Sequence, residues 1–198
     1  MNADVESKKA LADEDIVTFV LEGHTDLFRI LVDRYKDKVF HTGMGFLHNR
    51  HDAEDLVQEV FLQVYSSLSG FQHRSVFSTW LYRITVNAAL NMLRKKSGKS
   101  FINFANLHRD RPDTFHSNSE NPEQKMIQEE GKAWLRESIT RLPEKQRAAL
   151  VLSYYNDLPQ KEIAEILGTT EGAVESLLQR AKENLRKNMG ITRRKNQL

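Results

Sequence analysis

No proline occurs in the first 111 of the 198 residues; the four prolines stand at 112, 122, 143 and 159. Proline fixes φ and lacks a backbone donor, so its absence over that length removes the commonest helix breaker. Apolar residues in the same stretch recur at spacings of three and four, the period of a half-buried helix. In "EGHTDLFRILVDRY", a break at Gly23 is followed by Leu27, Ile30, Leu31 and Tyr35 at core spacing. The spacing predicts helices at about 13–22, 25–48, 52–68 and 76–96. After Lys96, "SGKSFINFANLHRDRPDTFHSNSENPE" mixes Ser, Asn, Asp, Gly and Pro without a period and reads as a linker. Periodicity resumes near Gln124, predicting helices at 124–140, 144–154, 160–167 and 171–188, with a fraying basic tail "ITRRKNQL". The expected fold is all-α: two small helical domains, 13–96 and 124–190, joined by a flexible linker over 97–123.

Composition enters through what it excludes. The chain has no cysteine, hence no disulfide framework, thiol nucleophile or thiolate metal site, which fits a cytoplasmic protein. The first ten residues are polar and charged, and no apolar run approaches the roughly 18 residues of a membrane span. A soluble, unprocessed chain without membrane insertion is expected. The net charge of +2 conceals four blocks. Residues 1–70 carry 7 basic and 13 acidic side chains, 71–111 carry 8 and one, 112–140 carry 3 and 6, and 141–198 carry 11 and 7. Basic blocks steer toward phosphate; acidic ones are repelled by it and need another partner.

The segment "FSTWLYRITVNAALNMLRKK", residues 77–96, is apolar around most of a helix: Leu81, Ile84, Ala88 and Met92, with Tyr82, Val86, Ala89 and Leu93 beside them. One narrow stripe differs: Trp80, Arg83, Asn87, Asn91 and Arg94. An aromatic ring, two amides and two guanidiniums in a row have nothing to catalyse with, but suit stacking and hydrogen bonding to nucleic acid.

"LPQKEIAEILGTTEGAVESLLQRAKENLRK" predicts a helix-turn-helix over about 160–182. Ile163, Ala164, Ile166 and Leu167 give a short helix its inward face. Gly168 can take positive φ at its end. Thr169 or Thr170 caps the next helix, Glu171 complements its dipole, and Val174, Leu177, Leu178, Ala181 and Leu185 bury it. The outer face then carries Gly172, Glu175, Ser176, Gln179 and Arg180. In a major groove, Arg180 suits guanine, Gln179 adenine and Glu175 a cytosine amine. A plain helical hairpin with a polar outer face is the blander reading.

"DAEDLVQEVFLQVYSSLSGF" places Ala53, Val57, Val60, Val64 and Leu68 on one face, with Asp52, Asp55, Gln58, Glu59 and Gln63 elsewhere. Alone this is a solvated face. Directly before a basic block, it suggests a positively charged protein partner. His48 and His51 with Asp52, Glu54 and Asp55 are the nearest approach to a metal cluster, but "HNRHD" falls at a helix break and lacks convergent ligands. There is no phosphate-cradling glycine loop and no Gly-flanked serine. No catalytic residue, metal site or cofactor is assigned.

"DAEDLVQEVF", "FSTWLYRITVNAALNMLRKK" and "LPEKQRAALVLSYYNDLPQKEIAEILGTTEGAVESLLQRAKENLRK" resemble successive regions of bacterial RNA polymerase sigma factors, in order and spacing. The small two-domain extracytoplasmic-function (ECF) group is the most similar. The resemblance covers about residues 13–96 and 124–190 and implies a chain bridging core polymerase and two promoter elements, with no enzymatic step of its own. Asp55, Gln58 and Glu59 match the grip on the basic clamp coiled coil of the largest catalytic polymerase subunit. Phe71 matches the loop whose pocket captures a base flipped from the minus-ten element. Asn87 matches a contact to that element, with Trp80, Arg83 and Arg94 near the melting duplex. Ser176 and Arg180 match readers of the minus-thirty-five element, with Glu175 and Gln179 beside them. Glu175, Leu177 and Gln179 depart from what many relatives carry, which puts the preferred upstream sequence in doubt. The resemblance leaves room for an anti-sigma factor. Phe101, Ile102, Phe104 and Leu107, apolar within the linker, are expected to dock on a domain or to thread a polymerase channel, and the resemblance favours the channel. Two other readings remain open: a helix-turn-helix regulator that works without polymerase, and a helical metal enzyme using the His48–Asp55 cluster.

Overall fold

The computed structural model describes residues 11–100 and 122–195, with side chains at 11–96 and 131–188. The stretch 101–121, including the four apolar linker residues, lies outside the described residues. All the regular structure described is helical: α1 Asp13–Leu21, α2 Phe28–Leu47, α3 Arg50–Ser67, α4 Phe77–Ser100, α5 Pro122–Thr140, α6 Glu144–Tyr155, α7 Gln160–Leu167 and α8 Glu171–Lys195. Short 3-10 turns occupy Thr25–Leu27 and Leu68–Gly70. The expected all-α class, in two helical regions, is what the chain adopts.

Local chemistry sets the boundaries. Asn49 caps α3 by accepting from the Asp52 N–H at 3.0 Å. His48 ends α2 in the left-handed conformation, φ 54°. Pro122 opens α5 in a first turn, where its missing N–H costs nothing. Helix α4 runs on to Ser100 and α8 to Lys195, past the expected ends at 96 and 188. No proline follows in either stretch, and the second carries Arg193, Arg194 and Lys195, which are good helix formers. Of the tail "ITRRKNQL", expected to fray, residues 191–195 continue the helix through Lys195, and the last three residues lie outside the described residues.

In the first region α2, α3 and α4 pack around Leu31, Val39, Phe46, Leu56, Val60 and Leu81, all at most 1% exposed. Helix α1 seals one end with Ile16 and Val17. It is tied down by polar bonds: Arg34 and Tyr35 of α2 both donate to the Asp13 carboxylate. The Phe77 N–H, an orphan donor at the start of α4, is taken up by Glu14 Oε1 at 3.2 Å.

In the second region, Ile139, Leu142, Leu150 and Ala181 form a small core of their own. The remaining buried residues of α6, α7 and α8 join the core of the first region: Val151, Ile163 and Val174 belong to one apolar cluster with Phe46 and Leu81. Helix α6 lies against α2, and α7 against α4. Gly45 of α2 permits this. A Cβ at that position would meet Val151 Cγ1 at 2.7 Å and the Tyr155 ring at 3.0 Å, both across the boundary between regions. Apolar faces of both regions thus find part of their cover on the other region.

Candidate nucleic-acid interface

The wider surface of α4 is inside, as its spacing requires: Leu81, Tyr82, Val86, Ala88 and Ala89 are buried. Arg83, Asn87, Asn91 and Arg94 are exposed on one stripe. Trp80, expected on that stripe, is instead half-buried in an aromatic cluster, with ring centroids 5.2 Å from Phe71 and 5.9 Å from Phe77. Phe71 is only 6% exposed and packs on Phe77 edge-to-face. In the expected base-capturing loop, Phe71 thus forms part of the floor. Gln72, His73 and Arg74 are the members turned to solvent.

The outer ends of the stripe are occupied by the second region. Arg83 donates from Nε and Nη2 to the Glu165 carbonyl oxygen of α7, at 3.2 and 2.6 Å. Arg94 grips the Glu144 carboxylate at the start of α6 with two bonds, Nε to Oε1 at 2.8 Å and Nη2 to Oε2 at 3.2 Å. The pairing raises the Arg94 pKa and lowers that of Glu144, in each case mainly through this hydrogen bond. Between the bridges lies a cleft of about 530 Å³, with Asn87 and Leu90 on one wall and Ile166, Leu167 and Gly168 on the other.

The helix-turn-helix is built as its sequence requires. Gly168 ends α7 at φ 62°, ψ 45°, and Thr170 Oγ1 accepts from the Ala173 N–H at 3.3 Å to cap α8. Val174, Leu178 and Ala181 are buried, which turns Glu175, Ser176, Gln179 and Arg180 outward together. Ser176 donates to the Gly172 carbonyl at 3.0 Å, and Gln179 to Glu183 at 3.3 Å. This face is open to solvent. The two candidate DNA surfaces are therefore in opposite states.

On α3, Asp55, Gln58 and Glu59 are exposed one turn apart, and neither carboxylate pairs with a described residue. Asp52 and Glu54 sit apart from them in function, held by Lys96 and Arg50. Leu62 continues the Asp55–Glu59 face at 72% exposure, and Tyr65 beside it is braced edge-to-face on Phe28 at 5.0 Å. These two were not singled out in the sequence, though their spacing from Asp55 and Glu59 was visible there.

Three further side chains carry interactions that spacing alone does not signal. Arg147 falls within the C-terminal basic block, yet it is buried, donating to the carbonyls of Ile139 (3.1 Å), Leu142 (3.0 Å) and Thr140. It caps the end of α5 and offers nothing to phosphate; burial lowers its pKa. Its place in "QRAALV" beside an apolar run was the available signal. Asn156, just past α6, accepts from Thr42 Oγ1 at 3.0 Å and donates to the Lys38 carbonyl at 3.2 Å and to Tyr82 at 3.4 Å. His48 is half-buried, and its Nε2 is buried without a hydrogen-bond partner. Burial, with Arg136 and Arg147 nearby, pushes its pKa down to about 4. His51, by contrast, is exposed beside Glu54. Among the described residues, no three His, Cys, Asp or Glu side chains gather to hold a metal, and no helix is long and apolar enough to cross a membrane.

Comparison with known proteins agrees with this geometry. The family model "Sigma-70 region 2" matches residues 31–99, and "Sigma-70, region 4" matches 132–185. The chain is 34% identical over 174 residues to the ECF RNA polymerase sigma factor SigW of Bacillus subtilis (strain 168), covering 86% of this chain and 92% of that one. It is 34% identical over 176 residues to the ECF RNA polymerase sigma-E factor of Escherichia coli (strain K12), covering 87% and 92%. A solved structure of CnrH in complex with the cytosolic domain of CnrY has the same fold, with a TM-score of 0.64 at 22% identity over 91% of this chain and 99% of CnrH. With its two helical regions, its open helix-turn-helix and its acidic α3, the chain belongs to the ECF RNA polymerase sigma factors.

Proposed function

We propose that this chain works in the cytoplasm as the promoter-recognition subunit of RNA polymerase, docking through α3 and reading two promoter elements through α4 and α8. The supporting observation for docking is the exposed, unpaired Asp55–Glu59 face with Leu62 beside it. Charge steers such a face to the basic clamp coiled coil, and an exposed leucine supplies area to bury once there. On this reading Ser176, Gln179 and Arg180 read duplex in the major groove, with Glu175 accepting from a base amine. Arg83, Asn87 and Arg94 hold the strand as it separates, and the loop floored by Phe71 and Trp80 takes a flipped base. Flipping costs a few kcal/mol, offset by contacts only the right base makes, so recognition and melting become one step. The polymerase does the phosphoryl chemistry, and no residue of this chain is assigned a catalytic role. CnrH is solved with the cytosolic domain of CnrY, and another sigma factor of the fold with an anti-sigma factor. An anti-sigma factor fits this chain as a further partner.

Docking is tested by reversing Asp55 and Glu59 to Lys, which sets like charges against a basic partner and costs several kcal/mol in a desolvated contact. Pull-down of core polymerase should be lost while the helical content is kept. Capture at wild-type strength would remove α3 from the docking role.

A further inference from the structure

What the outer face of α8 offers a base edge depends on which of its polar groups are already engaged. Ser176 has one hydroxyl hydrogen, and it goes to the Gly172 carbonyl at 3.0 Å, so the lone pairs are what it turns outward. Gln179 carries both a donor and an acceptor, and a free glutamine amide can turn over to present either. Here its nitrogen is held by Glu183 Oε1, one turn along the helix, at 3.3 Å. Chemistry dictates that orientation: an ionised carboxylate only accepts, so the nitrogen must face Glu183 and the carbonyl oxygen faces away. Glu175 has acceptors alone, and it lies on the same row as Gln179, four residues earlier. The two are roughly 6 Å apart along the axis, nearly two base-pair steps of about 3.4 Å, so they address neighbouring pairs rather than one. Lys182 is drawn over the Tyr154 ring of α6, 5.9 Å from its centroid. Arg180, exposed and bonded to no described residue, is the cation left to this face.

We infer that Glu183 is a positioning residue for upstream readout: it locks the Gln179 amide with its oxygen outward, so that this position selects a base bearing an amine, adenine or cytosine. The inference rests on the assignment of α8 to the minus-thirty-five duplex. In the major groove the donors are the adenine N6 and cytosine N4 amines, whereas guanine N7 and O6 and thymine O4 are acceptors. An oxygen fixed toward the groove meets an amine favourably and repels a keto oxygen. Adenine fits best, since the second N–H of the Gln179 amide can reach its N7 while the oxygen takes the amine. With Glu175 accepting beside it, the row reads amine-bearing bases at two neighbouring places, and Arg180 reads guanine. Glu183 itself touches no base; it acts through Gln179.

The test uses the full-length chain assembled with core polymerase and a promoter library whose upstream element is randomised, with the bound templates sequenced. Gln179→Ala identifies the base pair that Gln179 reads, as the one whose preference it flattens. At that pair the wild type should favour adenine and cytosine over guanine and thymine by about tenfold. Glu183→Ala frees the amide, and Glu183→Gln replaces the carboxylate by a group that can pair with either end of it. Both should bring the ratio down to about twofold, at that pair alone, and leave the pair read by Arg180 unchanged. Because both variants also remove a negative charge, affinity should rise evenly for all sequences, which sets the charge effect apart from the change in preference. The double variant Gln179→Glu, Glu183→Ala keeps the wild-type charge and makes the outward group an acceptor by chemistry rather than by orientation. It should restore the preference for amine-bearing bases. An unchanged ratio in both single Glu183 variants, with Gln179→Ala still flattening its pair, would overturn the role of Glu183 and leave the duplex reading of α8 standing. A wild-type complex that enriches no upstream sequence would remove that reading and the inference with it.

Discussion

Arginine does three different jobs in this chain, and the surroundings of each side chain decide which. Arg147 is buried against three carbonyl oxygens, a fixed end-piece for α5. Arg83 and Arg94 are exposed but engaged by the second region. Arg180 is exposed and pairs with no described residue, so its guanidinium is available to a base edge. Replacing Arg180 with Ala should cost about 1–3 kcal/mol in promoter binding and relax the preference at one base pair. Titration against upstream duplexes varied one position at a time checks this; a uniform loss across all of them would place Arg180 on phosphate instead. His48 provides a second residue-scale test. It faces Arg136 of α5 and Arg147 of α6, and its pKa is held at about 4 against an ordinary 6.5. The folded chain thus favours the neutral ring. The contribution of this ring to stability is constant above pH 6.5 and is lost as pH falls toward 4, an effect on the order of 3 kcal/mol. His48→Asn, which tolerates the left-handed backbone, should flatten that part of the pH profile in urea titrations. A profile identical to the wild type would show that His48 is not the responsible group.

At the scale of elements, the helix-turn-helix is the part most legible in the sequence, because its determinants are local. Gly168 supplies the positive φ, and Thr170 caps three residues ahead. Gly168→Ala puts a Cβ into that conformation although there is free space around it. The penalty is backbone strain, about 1–2 kcal/mol, and should appear as a lower melting temperature by circular dichroism. An unchanged melting temperature would mean the turn relaxes by another route. The buried face of α4 was equally readable from spacing, since Leu81, Val86 and Ala89 obey the helical period. What spacing could not give was the partner of each exposed group. Glu165 is 82 residues from Arg83, and Glu144 is 50 residues from Arg94. Nothing local distinguishes a guanidinium bound to its own chain from one that awaits DNA. Trp80 shows the same limit: its place on the polar stripe is correct by period, yet Phe71 and Phe77 draw it half inside. Gly45 looks from sequence like a weak point in α2; only the approach of Val151 and Tyr155 gives it a purpose.

For the whole molecule, two helical regions share an apolar contact, and the three faces with proposed roles lie around it. The α3 face and the α8 face are open, and the α4 face is closed by α6 and α7. Every role assigned here converges on one event, start-site selection by a polymerase that lacks its own promoter specificity. Run-off transcription with purified core polymerase, on templates carrying promoters from the protein's own genome, measures that event directly. Core enzyme with this chain should yield discrete transcripts of defined length that core enzyme alone does not make, and the Asp55→Lys, Glu59→Lys variant should abolish them. Identical products with and without the chain would contradict the account.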